Sequence, residues 1–136
     1  MRKIDHIGIA VRSLEQAIPF YTESMKLEYV ETEVVPTEKV RVAVLMSGDL
    51  RVELLEPTSP DSTIAQYIDK RGPGVHHMAY AVDDVEHEVK LLLENNAQLI
   101  QPAPRPGAGG CKVAFLHPKA TGGVLIELVE RPRSHR

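Results

Sequence analysis

Four residues of this 136-residue chain have the types and spacing of a chemical site: His6, Glu53, His77 and Glu127. Each glutamate stands alone among apolar neighbours, in "RVELLEP" and "VLIELVE". A carboxylate inside an apolar strand is costly to bury unless a partner or a proton neutralises it. Each histidine sits in an apolar run, "KIDHIGIAV" and "GVHHMAY". If the four converge, two neutral imidazoles and two carboxylates balance one divalent cation. Nitrogen and oxygen donors suit zinc, cobalt, nickel, manganese or iron. A mixed site with open, water-filled positions suits catalysis rather than a structural role. The competing reading of the glutamates is two buried ion pairs with Arg or Lys. Arg51, two residues from Glu53 and so on the same strand face, is the nearest candidate.

The quartet is one pair written twice, as a search for internal repeats reveals. "IDHIGIAVRSLEQAIPFYTESMKLEYV" from residue 4 matches "VHHMAYAVDDVEHEVKLLLENNAQLI" from residue 75, with His6 on His77 and Val11 on Val82 at an offset of 71. "LRVELLEP" (50–57) matches "VLIELVER" (124–131), with Glu53 on Glu127 at an offset of 74; the extra three residues belong in a loop. Each copy opens with a strand ending in Val. Ser13, and Asp83 or Asp84, are suited to N-cap the helices that follow, near 14–26 and 84–95. Val85, Val89, Leu92 and Leu93 form an apolar stripe on the second helix. Three more strands are expected in each copy, near 27–35, 40–47 and 51–56, then near 97–101, 112–117 and 124–130. The expected architecture is α+β: two paired βαβββ modules with curved mixed sheets enclosing a metal site. Residues 1–136 then form a single domain, with module one at about 3–57, a linker at 58–74 and module two at about 75–131. The linker carries turn residues and a short helix near 62–70, and Gly72, Pro73 and Gly74 restart the strand.

Alternation separates the adjacent histidines of "GVHHMAY". His77 is in register with His6, and it shares its face with Ala79 and Ala81, as His6 does with Gly8 and Ala10. Small residues beside an imidazole leave room for a cavity. His76 is in register with Asp5 and points the other way.

Composition narrows the function classes. Net charge is -3 and the pI is near 6.1. No basic excess or stripe suggests nucleic acid or a membrane surface as partner. One cysteine, Cys111, rules out an intramolecular disulfide and is consistent with a reducing compartment. No apolar run has the length to span a bilayer, and "MRKIDHIGIAVRSLEQ" lacks a signal peptide's apolar stretch. A cytoplasmic location is the expectation.

The paired modules and the quartet resemble the vicinal-oxygen-chelate superfamily, which includes glyoxalase I, over residues 3 to 131. Within it the chain is most similar to the methylmalonyl-CoA epimerase family. The segments that carry this resemblance are "KIDHIGIAV" (3–11), "ELLEPTSPDSTIAQYIDKRGPGVHHMAYAVDD" (53–84) and "PRPGAGGCKVAFLHPKATGGVLIEL" (104–128). The linker and the "FLHPKATGGVLIEL" run are more specific than the four ligands, which suit a bacterial glyoxalase I equally.

The resemblance implies inversion at C2 of methylmalonyl-CoA, a small-molecule acyl-CoA substrate, by proton removal to an enolate and return on the other face. It implies His6, Glu53, His77 and Glu127 as ligands of a divalent metal, with cobalt first and zinc, manganese or nickel as alternatives, and a homodimer. Inversion needs a base on each face or one that moves. Glu127 is the first candidate, as ligand and base together. The family carries an acidic residue in the loop before the third strand, typically three positions before its Val. In "VVPTEKVRVAV" that position is Thr37, and Glu38 lies one place later. A one-residue loop adjustment makes Glu38 the second base; without it Glu38 is an ordinary solvated loop residue. The rival readings are a glyoxalase I, a metal-free binding module of the same fold and, further off, an iron dioxygenase.

Several other residues are given lesser roles. "GAGG" lacks the Gly-Lys-Ser/Thr ending and following helix of a phosphate loop, so it is a surface turn or a segment that closes over substrate. Arg105, Lys112 and Lys119 are candidates to meet coenzyme A phosphates, against the alternative that they face water. Cys111 reads as a packed small hydrophobe. His87 and His117 read as surface or packing residues, and "RPRSHR" as a frayed basic tail.

Overall fold

The computed structural model describes residues 2–100 and 104–132. The chain divides into two compact units, His6–His76 and Met1–Asp5 with His77–Arg136.

In the first unit four strands lie in the order β2-β3-β4-β1: β1 (Lys3–Ala10, whose start belongs to the second unit), β2 (Glu28–Val35), β3 (Val40–Ser47) and β4 (Leu50–Pro57). β1 runs parallel to β4 and the remaining pairs are antiparallel. Ser13, in extended conformation, ends the β1 segment and starts α1 (Leu14–Pro19) by accepting from the Gln16 amide at 3.3 Å. The expected helix over 14–26 is only α-helical to Pro19, then widens into a π-helical turn over Phe20–Ser24. Pro19 has no N–H to give the α pattern, and a π turn accommodates the break. Val11, Leu14, Ala43, Leu45, Val52 and Leu54 form the buried cluster between helix and sheet. α2 (Thr63–Arg71), capped by Ser62, lies in the segment that leads to the second module.

The second unit repeats this order as β5-β8-β7-β6: β5 (Gly74–Ala81), β6 (Arg105–Pro106), β7 (Lys112–Leu116) and β8 (Ile126–Glu130), with β5 parallel to β8. α3 (Val85–Glu94) follows β5 and is capped by Asp84, whose side chain accepts from the His87 amide at 3.1 Å. Val82, Val85, Val89, Ala114 and Leu128 form its core, and Val82, Val85, Ala114 and Leu128 hold the repeat positions of Val11, Leu14, Ala43 and Leu54. Leu92 packs against this core, but Leu93, expected in the same stripe, is 46% exposed near the helix end.

Among the described residues, one expected strand is reduced to a single bridge. Residues 97–100 contribute only the bridge of Leu99 to Leu116; Gln101 lies outside the described residues, and regular pairing resumes in the two-residue β6. Pro104 and Pro106 follow closely, and each removes a ladder donor. The three extra residues of the repeat fall where expected, in a loop. Val52 follows Leu45 across a hairpin turning at Gly48, whereas Leu116 and Ile126 are separated by α4 (Pro118–Thr121) and two glycines. Among the described residues no helix is long and apolar enough to cross a membrane.

Candidate functional site

Strand alternation places the site. On β1, His6, Gly8 and Ala10 are buried on one face, while Ile9 and Val11 meet α1 on the other. On β4, Val52 and Leu54 join the helix side, so Glu53 takes the opposite face with His6. Parallel pairing sets Gly8 beside Glu53 and, in the second unit, Ala79 beside Glu127. The missing or minimal side chain in each case leaves the carboxylate space.

The result is the same pair in each unit. His6 Nε2 lies 3.4 Å from Glu53 Oε1, and His77 Nε2 lies 3.2 Å from Glu127 Oε1. All four residues are buried, 4–6% exposed. Two donors bound at about 2.1 Å to one ion stand about 3.0 Å apart at an octahedral corner and about 3.4 Å apart at a tetrahedral one. Both pairs therefore have the separation of neighbouring ligands, and their donors suit an intermediate divalent cation. Glu53 meets an imidazole, that of His6, at ion-pair distance. In the second unit the ring of Phe115 meets His77 edge-on, 5.7 Å between centroids at 85°, and fixes the imidazole plane. Val44 holds the matching place beside Glu53. His76 points away from this face as expected, and packs edge-on against Tyr67 at 5.0 Å.

Glu38 is half-buried in a 3-10 turn, Pro36–Glu38, ahead of β3. The β3 and β7 registers put Gly109 and Gly110 at the positions of Glu38 and Lys39, so this turn carries a carboxylate in one unit only. The "GAGG" segment is thus the counterpart of the "PTEK" turn.

Cys111 is buried among Ala79, Val113 and Val129, as expected of a small hydrophobe. Lys112 meets Glu86 at 3.1 Å, which raises its pKa above the ordinary lysine value. Arg105 opens β6, Lys119 is exposed in α4, and His117 caps that helix by accepting from the Lys119 amide at 3.1 Å. The expectation of a frayed tail is wrong at Arg131. Its guanidinium makes a two-pronged, nearly buried ion pair with Asp5 at 2.7 and 2.6 Å, and lies 3.3 Å from the Cys111 sulfur. Residues 133–136 of that expectation lie outside the described residues.

Sequence reasoning also missed a duplicated support. Glu56 accepts from the Leu14 amide at 2.8 Å, and Glu130 accepts from the Val85 amide at 3.0 Å. The signal was present as "ELLE" and "ELVE". Odd spacing on a strand puts the second glutamate on the helix side, where it satisfies an N-terminal N–H and favours the helix dipole. Val11 N to Leu55 O and Val82 N to Val129 O, both 2.9 Å, complete the repeated junction.

Residues 5–115 match the Glyoxalase/Bleomycin resistance protein/Dioxygenase superfamily, and the chain belongs to it. Among its relatives, the uncharacterized protein YqjC of Bacillus subtilis (strain 168) is 40% identical over 130 residues, 96% of this chain and 93% of that protein. The mitochondrial methylmalonyl-CoA epimerase of Dictyostelium discoideum is 36% identical over 135 residues, 95% of this chain and 78% of that one. A methylmalonyl-CoA epimerase solved in complex with methylmalonyl-CoA and NH4+ superimposes with a TM-score of 0.91 at 37% identity, covering 98% of this chain and 96% of that one. The chain is an enzyme of this superfamily.

Proposed function

We propose that the chain is a metal-dependent epimerase that interconverts (R)- and (S)-methylmalonyl-CoA. The observation that carries this reading is near full-length likeness to an epimerase solved with that substrate, in a chain that keeps a buried His–Glu pair in each module. His6, Glu53, His77 and Glu127 would together hold one divalent cation, with cobalt first by family resemblance. Such an ion supplies Lewis-acid stabilisation of negative charge on the substrate's oxygens.

The chain's own residues then move the proton. C2 lies between a thioester carbonyl and a carboxylate, so its proton is acidic enough for a carboxylate base aligned with it. Glu127 serves one face of C2 and Glu38 the other. One takes the proton and leaves an enolate, and the other returns a proton to the opposite face, inverting the centre. Burial around the His–Glu pairs keeps water from the reacting carbon and strengthens these charge interactions. The homodimer and the cytoplasmic location belong to this reading too, supported by family resemblance and by the lone buried cysteine.

The test is proton NMR of methylmalonyl-CoA in D2O, with the protein as purified, after chelation and after metal return. Metal-dependent loss of the C2 proton signal together with interconversion of the epimers is expected. No exchange with folded, metal-loaded protein would sink the reading. The glutathione hemithioacetal of methylglyoxal, tried in parallel, decides for or against a glyoxalase I.

A further inference from the structure

The turn that carries Glu38 is tied to a distant segment through the next residue. Lys39 has left-handed backbone (φ 52) and closes the turn with its amide on Pro36 O at 3.1 Å. Its carbonyl accepts from the Thr58 amide at 2.9 Å, and its ammonium pairs with Asp61, which also accepts from the Ser59 hydroxyl. Asp61 itself sits on an anchored element. Ser59 O accepts from the Ser62 amide at 3.1 Å, and buried Ser62 caps α2 by accepting from the Ala65 amide at 2.9 Å.

The second unit shows that backbone geometry alone does not call for lysine. At the matching register position Gly110 has the same left-handed conformation (φ 73), which glycine adopts at no steric cost. A lysine there carries backbone strain, and it brings a side chain that reaches Asp61. Both charged groups are largely exposed, so the pair contributes little to stability. Its effect is on where the turn sits.

We infer that Asp61 is a positioning residue, which grips Lys39 and so fixes the Pro36–Glu38 turn at the distance that proton transfer at Glu38 requires. This rests on the reading of Glu38 as one of two bases. Lys39 and Ser59 hold the Asp61 carboxyl below its ordinary value, so the grip persists through neutral and weakly acidic pH.

The experiment compares Asp61→Asn, Asp61→Glu and Glu38→Gln in D2O, starting from each epimer and reading C2-proton exchange and inversion separately. Glu38→Gln should abolish inversion while exchange persists for the epimer whose proton faces Glu127. Asp61→Asn should be a weaker copy: inversion falls about three- to tenfold, that exchange is kept, Asp61→Glu restores part of the loss, and Asp61→Asn adds nothing on the Glu38→Gln background. The Thr58 amide should also exchange faster with solvent in Asp61→Asn, a readout independent of turnover. An unchanged ratio of inversion to exchange, or an equal fall in both, overturns the proposal. If Glu38→Gln leaves inversion intact, the two-base reading fails and the role of Asp61 fails with it.

Discussion

The two modules agree where they hold the His–Glu pairs and differ where they frame them. In both, a strand bearing histidine runs parallel to one bearing glutamate, and a second glutamate three residues later caps the intervening helix. The outer strands have diverged. β2 is a full eight residues with an exposed surface, and β6 is reduced to two. The turn before the third strand holds Glu38 and Lys39 in one unit and Gly109 and Gly110 in the other. The buried His–Glu pair is therefore the duplicated property. The extra carboxylate of Glu38 is an asymmetric addition, and under the proposed function it would serve the second face of C2.

The sharpest break of this comparison is at the pairs themselves. His6→Ala and His77→Ala should each cost at least about a hundredfold in metal affinity, and turnover with it. His76→Ala should be far milder, by metal analysis and the NMR assay. If His76→Ala and His77→Ala behave alike, the register argument is wrong. A smaller effect separates two ion pairs. Arg131→Met removes the two-pronged partner of nearly buried Asp5, and should cost about 3 kcal/mol in urea unfolding. Arg41→Met, which removes the more exposed partner of Glu56, should cost less than about 1 kcal/mol. Next come the caps. Glu56→Ala and Glu130→Ala should each cost about 1 kcal/mol, or about 3 °C in melting temperature; a large gap between them would show that the junctions are not equivalent.

The smallest effect is electrostatic and has opposite sign in the two units. The Asp61 value is depressed by Lys39, so its contribution is present above the ordinary carboxylate range and fades as pH falls through the folded value. The Lys112 value is raised by Glu86, so its contribution is present below the ordinary lysine range and is lost as pH rises through the folded value. NMR titration of both groups, before and after Lys39→Met and Glu86→Gln, checks each sign.

Much of this was legible in the sequence because duplication doubled weak signals. One histidine in an apolar strand says little; two in register, with two glutamates in register, gave the pairs and the faces they occupy. Ser13 and Asp84 marked helix starts because capping chemistry is local. What escaped depended on partners remote in sequence. Nothing near Arg131 announces Asp5, and a basic run at a chain end looks the same whether solvated or clamped. The strand over 97–101 was misjudged because its apolar residues outweighed the prolines that follow. Glu56 and Glu130 look like any glutamate near a strand end, because the amides they cap lie 42 and 45 residues away.

The clamp between Asp5 and Arg131 has a consequence for synthesis. The residues that pair are 126 positions apart, so a ribosome makes one partner almost a chain length before the other. At that stage the opening residues of β1 cannot reach their native ion pair, and they wait until the last strand and Arg131 have left the exit tunnel. Contacts of such long sequence separation are slow to form. The second module should therefore complete its fold only once Arg131 has emerged, and pulse-labelling of stalled chains would find Asp5 unprotected until then.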